Sequence, residues 1–369
     1  SFRDLPLALN QIQPKFRDEP RARGGLIRLR EFTMQDGYSF HRDKKDLDIF
    51  YEEVKKAYLR IFERVGLKVR VVSSASGAMG GTKAEEFIVE SEVGEDRIAV
   101  CKKCKYAANL EVARFKDRLI KEEPKKLKRV STPKASTIEE LSKFLKINPH
   151  RLAKIVFFEN ERGDLIVACV LGDREINERK LGLVTDSESL LSADENKIRE
   201  FGYEPGFASP IPHTKAVIVI DPEVWESNNL VTGANERDFH LLNFYPARDI
   251  KHKKVKIADI AEVKEGDRCQ CDGSLKVKRG IEVGNIFQLG DKYCRSFMVQ
   301  FTDEKGKQHF PLEGCYGIGL ERLMATIVEK YHDKQGIIWP KETAPFDICL
   351  LYTSPSPRDL STSRMPSSA

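Results

Sequence analysis

A chain of 369 residues, 40% hydrophobic and 32% charged, is long enough for two or three domains. No run approaches the ~18 consecutive apolar residues of a membrane span. The net charge of +5, from 62 basic and 57 acidic residues, is compatible with a nucleic-acid partner without indicating one. The opening SFRDLPLALN has neither the charged start nor the small-residue cleavage site of a signal peptide, so a cytosolic location is the expectation. Because it does not begin with Met, the chain reads as a fragment.

The stretch Lys15 to Asp43 reads as an antiparallel hairpin. Phe16, Arg17, Asp18 and Glu19 lie on its incoming side, Arg28, Arg30, Glu31 and Phe32 on its outgoing side, and Arg21, Arg23, Gly24 and Gly25 in the connection. Strand alternation would send Arg17 with Glu19, and Arg28 with Arg30, to one face. Such clusters often serve only as a solvated edge. Their chemistry also suits an adenine nucleotide: an Arg fork pairs with phosphate or carboxylate, a Glu accepts from an exocyclic amine, and Phe32 stacks on a base.

Residues 44 to 65 place Leu47, Phe50, Val54, Tyr58, Ile61 and Val65 at helical steps, with Gly66 as the stop. Strands are expected at LKVRVVS and FIVESEV, with SGAMGGTKAEEF between them. The pair Cys101 and Cys104 is half of a zinc knuckle; Cys269 and Cys271 supply another half if the chain between them loops out, although the one-residue spacing of that second pair departs from the usual two. The alternative is inert or partly exposed thiols, and Cys169, Cys294, Cys315 and Cys349 carry no motif.

The basic, proline-flanked segment PKKLKRVSTP, Pro124 to Pro133, reads as a linker. Beyond it Thr137 and Glu140 have capping-box spacing, and KIVFF, LIVACVL and AVIVID read as strands of an α+β insert over 130–250. The charged run from Asp249 to Arg268 would return the chain to its first domain. The final TSPSPRDLSTSRMPSSA, 353–369, is rich in Ser and Pro and lacks periodicity, so it reads as a non-native or disordered tail.

The hairpin resembles motif 2 of class II aminoacyl-tRNA synthetases, and REFTMQDGYSFH is similar to its form in bacterial prolyl-tRNA synthetases. GCYGIGLERLMATIVEKY, from Gly314 to Tyr331, resembles motif 3, and RGIEVGNIFQLGDKYC resembles the strand and loop that complete the adenylate pocket, with Asn285 where His is usual. The insert looks like the family's editing domain, also known as a free-standing deacylase fold. Lys154, the GDREIN segment Gly172 to Asn177, the GxxxP loop Gly206 to Pro210, Asp221 and His240 carry that likeness.

The resemblance implies an α+β protein: a class II antiparallel sheet flanked by helices, built from 1–125 and 251–352 and interrupted by the insert. It implies ATP, Mg2+, proline and tRNA(Pro) as ligands and a homodimer for the full-length protein; structural Zn2+, read from the cysteine spacing, is a further cofactor if the thiols cluster. Arg17 would hold the proline carboxylate and α-phosphate, Glu19 the adenine amine, Phe32 the adenine ring, Arg322 the γ-phosphate, and Arg28 and Gln288 would make further nucleotide contacts. In the editing pocket Lys154 and His240 would be catalytic, with Gly206, Pro210 and Asp221 shaping the site, and the segment 130–250 is expected to fold alone. The rival readings are a chain active only as a deacylase and a non-catalytic tRNA-binding paralogue.

Overall fold

The structure, a computed structural model, describes residues 1–211, 216–251 and 255–347; the tail 353–369 and Cys349 lie outside the described residues. Its larger sheet runs in the order Leu7–Phe16, Glu31–His41, Leu312–Gly319, Leu275–Gly290, Lys83–Glu90, Arg70–Ser73, Ala107–Asn109 and Asp96–Cys101. Its pairings are antiparallel except the single step between Arg70–Ser73 and Ala107–Asn109. The strand Leu275–Gly290, 16 residues long, pairs in turn with Asp96–Cys101, Lys83–Glu90 and Leu312–Gly319.

The first two strands form the expected hairpin, but the ladder closes at Phe16↔Glu31. Arg17, Glu19 and Arg28 therefore lie in the connection between the strands, and strand alternation does not orient them. That connection turns at Gly24 and Gly25, whose φ of 68° and 59° an L side chain resists, and the Ile27 amide donates to the Gly24 carbonyl at 3.0 Å.

The helix Lys44–Arg64 starts at Asp43, whose carboxylate accepts from the Asp46 amide at 3.0 Å, and ends before Gly66 at φ 83°. Its buried residues are Leu47, Tyr51, Tyr58 and Phe62, while Ile61, expected in the stripe, is 39% exposed. The helix turns its large aromatic rings inward at the expense of Ile61, because they cover more of the sheet's apolar area. They share one core with Phe87, Ile286 and Tyr316 of the sheet and with Leu323 and Ile327 of the helix Leu320–Lys330.

A second sheet has the order Leu190–Ser192, Ala153–Asn160, Leu165–Leu171, Val217–Ile220, Val255–Ile257, and a three-stranded sheet joins Leu230–Gly233, Phe239–Phe244 and Lys128–Ser131. Two expectations need correction. The segment read as a linker contains the strand Lys128–Ser131, and the charged run read as the return contains Val255–Ile257, paired parallel to Val217–Ile220. Cutting at 130 and 250 would split one strand and remove another, so the strands of the insert extend past both expected bounds. The capping box is formed: the Thr137 hydroxyl accepts from the Glu140 amide at 3.2 Å and Glu140 accepts from the Thr137 amide at 3.0 Å.

Leu165–Leu171 is buried along its whole length. Ile166, Ala168 and Val170 face a core shared with Ala99, Ala108, Leu110, Phe115 and Leu275 of the first sheet's region; Leu165, Val167, Cys169 and Leu171 face a second core with Ile218, Val224 and Phe244. A strand covered on both faces is apolar at every position. That is why LIVACVL does not alternate.

Between the two regions Arg174 is 1% exposed, its Nε 2.9 Å from Glu223 and its Nη1 2.7 Å from Asp267, with the guanidinium 3.8 Å from the Phe115 ring centroid. Glu223 also accepts from the Arg118 amide at 2.7 Å, and Arg118 pairs with Asp173 at 2.8 Å. Arg174→Ala strips an ion-pair partner from two carboxylates, one of them the fully buried Glu223, which is left with Arg118 alone, and should lower stability by ~3–5 kcal/mol. Denaturant unfolding measures this, and a loss under ~1 kcal/mol would contradict the role assigned to this seam.

Candidate functional site

The connection of the hairpin folds over the strand Leu275–Gly290 and the start of the helix Leu320–Lys330, and encloses a cavity of ≈ 240 Å³. Arg17, Glu19, Arg28 and Phe32 line one wall; Glu282, Gly284, Asn285, Gly317, Gly319 and Arg322 line the other. Three guanidinium groups thus converge on one space. Arg322 reaches across 295 residues of sequence to donate from Nε to the Ile27 carbonyl at 2.9 Å, and its Nη1 lies 2.9 Å from the Glu282 carboxylate. Arg28 is held by Glu19 at 3.0 Å and by Glu95 at 2.7 Å, and Arg23 also pairs with Glu95.

Arg17 differs from these two. Its guanidinium lies 5.0 Å from the Phe32 ring centroid and makes no ion pair among the described residues, so it is the cation left uncommitted to a carboxylate. Glu19 uses Oε2 for Arg28, which leaves Oε1 to accept from another donor. Gly317 packs closely against the Met34 side chain: a Cβ there would come within 2.3 Å of Met34 Cε, so that methyl would have to move.

Two carboxylates hold the arginines of this cavity, Glu282 within its lining and Glu95 outside it. Glu282, which alternation alone gives no special place, anchors Arg322 and accepts from Asn285 Nδ2 at 2.7 Å. Glu95 stands in a turn with no motif around it, and its role depends wholly on the hairpin folding back. Gln288, expected as a nucleotide contact, is not among the lining residues: it is 2% exposed and its amide donates to Asp48 at 2.8 Å.

A second cavity, of ≈ 290 Å³, opens in the insert between the helix Ile138–Leu145 and the strands Ala153–Asn160 and Leu230–Gly233. Lys154, Gly206 and His240 line it together with Ser136, Thr137 and Gly233. Lys154 Nζ donates to Glu175 at 3.0 Å. His240 is 4% exposed, with Nδ1 2.6 Å from the Thr132 hydroxyl, and burial pulls its pKa down to about 4, so its ring is neutral at physiological pH. Gly206 has φ 81°, and a Cβ on Gly233 would lie 2.0 Å from the Phe207 carbonyl oxygen, so the GxxxP loop is pressed against the adjacent strand.

The other two residues expected here do not line the cavity. Pro210 is buried behind the loop. Asp221 is 2% exposed and accepts from the amides of Glu223, Ile260 and Ala261 at 3.0, 3.0 and 3.1 Å, so it caps a short helix and ties down the returning chain. An acidic residue after an apolar strand is read equally well as a site carboxylate or as a cap, and nothing local separates the two. In the GDREIN segment Arg174 belongs to the seam, and Asn177 caps the helix Glu178–Thr185 by accepting from the Lys180 amide at 3.0 Å.

The thiols of Cys101, Cys104, Cys269 and Cys271 come together, with their sulfur atoms within 4.8 Å of one another. No helix among the described residues is long and apolar enough to cross a membrane.

Comparison with known proteins gives the family. A curated proline–tRNA ligase of Dehalococcoides mccartyi is 45% identical over 350 residues, covering 94% of this chain and 61% of that protein. One from Caldicellulosiruptor bescii is 46% identical over 358 residues, covering 95% and 61%, and one from a Sulfurihydrogenibium species is 42% identical over 361 residues, covering 97% and 64%. The chain therefore spans about three-fifths of the length of these relatives. Residues 1–331 match the family described as the tRNA synthetase class II core domain (G, H, P, S and T), and with the hairpin cavity closed by Arg322 the chain belongs to that family.

Proposed function

We propose that this chain carries the activation and editing sites of a proline–tRNA ligase, one that joins proline to tRNA(Pro) through prolyl-adenylate and hydrolyses mischarged alanyl-tRNA(Pro). The observation that carries the reading is the convergence of Arg17, Glu19, Arg28, Phe32 and Arg322 on one cavity from opposite ends of the sequence. In activation the proline carboxylate oxygen attacks the α-phosphorus of ATP in line, the bond to the bridging oxygen breaks, and pyrophosphate leaves. Two anions must meet, so the protein's task is to neutralise and position charge.

Arg17, the uncommitted cation, spans the carboxylate and α-phosphate. Arg322, fixed by Ile27 and Glu282, meets the γ-phosphate, and Arg28 supplies a further phosphate contact. Glu19 accepts the adenine amine through its free oxygen, and Phe32 stacks on the ring. Mg2+, when bound, would add charge neutralisation at the phosphates. The homodimer belongs to the same proposal, supported by the exposed Leu7, Leu9 and Ile12 along the outer strand of the sheet.

Editing uses the second cavity. A site that holds proline rejects alanine weakly, since each missing methylene is worth only ~1–3 kcal/mol, so a separate pocket that excludes proline by size is needed. Lys154 and the loop amides orient the ester and meet the negative charge that develops as water attacks it. Neutral His240 offers one ring nitrogen to the cavity while Thr132 fixes the other.

Proline-dependent ATP–pyrophosphate exchange tests the first site, on this chain and on the chain extended to its relatives' length. Arg322→Ala and Arg17→Ala should each lower exchange by ~10²–10³-fold, the cost of losing one preorganised donor to developing charge. No proline-dependent exchange in either form would overturn the reading. For the second site, Lys154→Ala should lower alanyl-tRNA hydrolysis by ~10²–10³-fold while exchange is unchanged and prolyl-tRNA survives. Equal deacylation with and without Lys154, or efficient prolyl-tRNA hydrolysis, would remove the editing assignment.

A further inference from the structure

The four clustered thiols come from two loops that mark where the chain leaves the first sheet and where it returns. Cys101 is the last residue of Asp96–Cys101, and Cys269 and Cys271 precede Leu275–Gly290; these strands pair with Leu275 opposite Cys101. Cys101 Sγ lies 3.5 Å from Cys271 Sγ, and Cys104 Sγ lies 3.8 Å from Cys269 Sγ. Four thiolates at ~2.3 Å from a tetrahedral zinc ion are separated by ~3.8 Å, so the cluster already has the dimensions of such a site.

Backbone geometry points the same way. The amides of Lys103 and Cys104 donate to Cys101 Sγ at 3.3 and 3.4 Å, and the Tyr106 amide donates to Cys104 Sγ at 3.4 Å. Donors aimed at sulfur favour the thiolate and orient it. The second loop reaches the same geometry with one residue fewer between its cysteines: Asp272 takes a left-handed φ of 62°, its amide donates to the Cys269 carbonyl at 2.8 Å, and the Cys269 amide donates to the Gly273 carbonyl at 2.7 Å. A Cβ on Gly273 would lie 2.6 Å from Cys101 Sγ, so glycine lets the loops close on each other.

We propose that Cys101, Cys104, Cys269 and Cys271 bind one structural zinc ion that clasps the two crossings between the sheet and its insert. An all-thiolate, closed tetrahedral set selects zinc over the hard cations that oxygen ligands hold. Cys101 and Cys269 belong to the core shared by the two regions, so the ion fixes the root of the insert and, through it, the placing of one cavity relative to the other. Cys104 is exposed and Cys271 half-buried, so the ion is accessible to a chelator. This inference is independent of the proposed function.

The test is metal analysis of the chain purified without chelator. The expected result is one zinc per chain, displacement by Co2+ with the sulfur-to-cobalt charge-transfer band of a tetrathiolate, and a thermal midpoint that falls with chelator and recovers with zinc. Cys104→Ser and Cys271→Ser should each weaken zinc binding by at least about tenfold and remove the chelator's effect on the midpoint. Because those variants could fail to fold, the chelator and re-addition series on the unaltered chain decides by itself. Iron in place of zinc, a Cys101–Cys271 disulfide by mass spectrometry, or substoichiometric zinc with a midpoint indifferent to chelator would each overturn the proposal.

Discussion

The strand Leu275–Gly290 is the constraint on which the rest of the structure depends. Its first residues hydrogen-bond to Asp96–Cys101, its middle to Lys83–Glu90 and its last to Leu312–Gly319, so it joins three parts of the chain that are distant in sequence. The insert can be accommodated only because its ends are held beside this strand. The same strand carries Glu282 and Asn285 into the hairpin cavity and, on its other side, buries Val283 and Ile286 against the aromatic face of Lys44–Arg64. Packing and chemistry are therefore set by one ladder register, and a bulge between Glu282 and Gly284 shifts that register at the point where the strand meets the site.

The two cavities solve different electrostatic problems. In the first, cations are plentiful and each except Arg17 is held by a carboxylate or a carbonyl, so the wall is preorganised for anions without collapsing on itself. In the second, one lysine and one neutral histidine face a largely apolar lining of Ile138, Leu141, Leu152 and Val231. Burial makes that surround poor in water, and it keeps His240 from taking a proton. One site is suited to gathering charge and the other to admitting a small, weakly polar group.

The sequence disclosed those residues whose chemistry is local. Thr137 and Glu140 cap a helix through contacts three residues apart, and Gly24 and Gly25 turn a hairpin, so spacing alone identifies them. The meeting of Arg17 with Arg322, and of the two cysteine pairs, was legible because each half carries a recognisable pattern. Asp221 and Gln288 were misplaced because their partners are decided elsewhere: Asp221 answers the amides of Ile260 and Ala261, and Gln288 answers Asp48. The segment around Lys128 was misread because basic residues and prolines describe an edge strand as well as a linker. Glu95 and Thr132 have no pattern of their own, and only the folded chain assigns them.

The strand Leu165–Leu171 has no face turned to water. On one side it rests on Ala99, Ala108, Leu110 and Phe115, which without it would form a bare apolar patch on the first sheet's region. A relative that dispenses with the insert cannot simply shorten its chain between Cys104 and Cys269. Without polar residues in place of that patch, a chain lacking the insert would expose it to water.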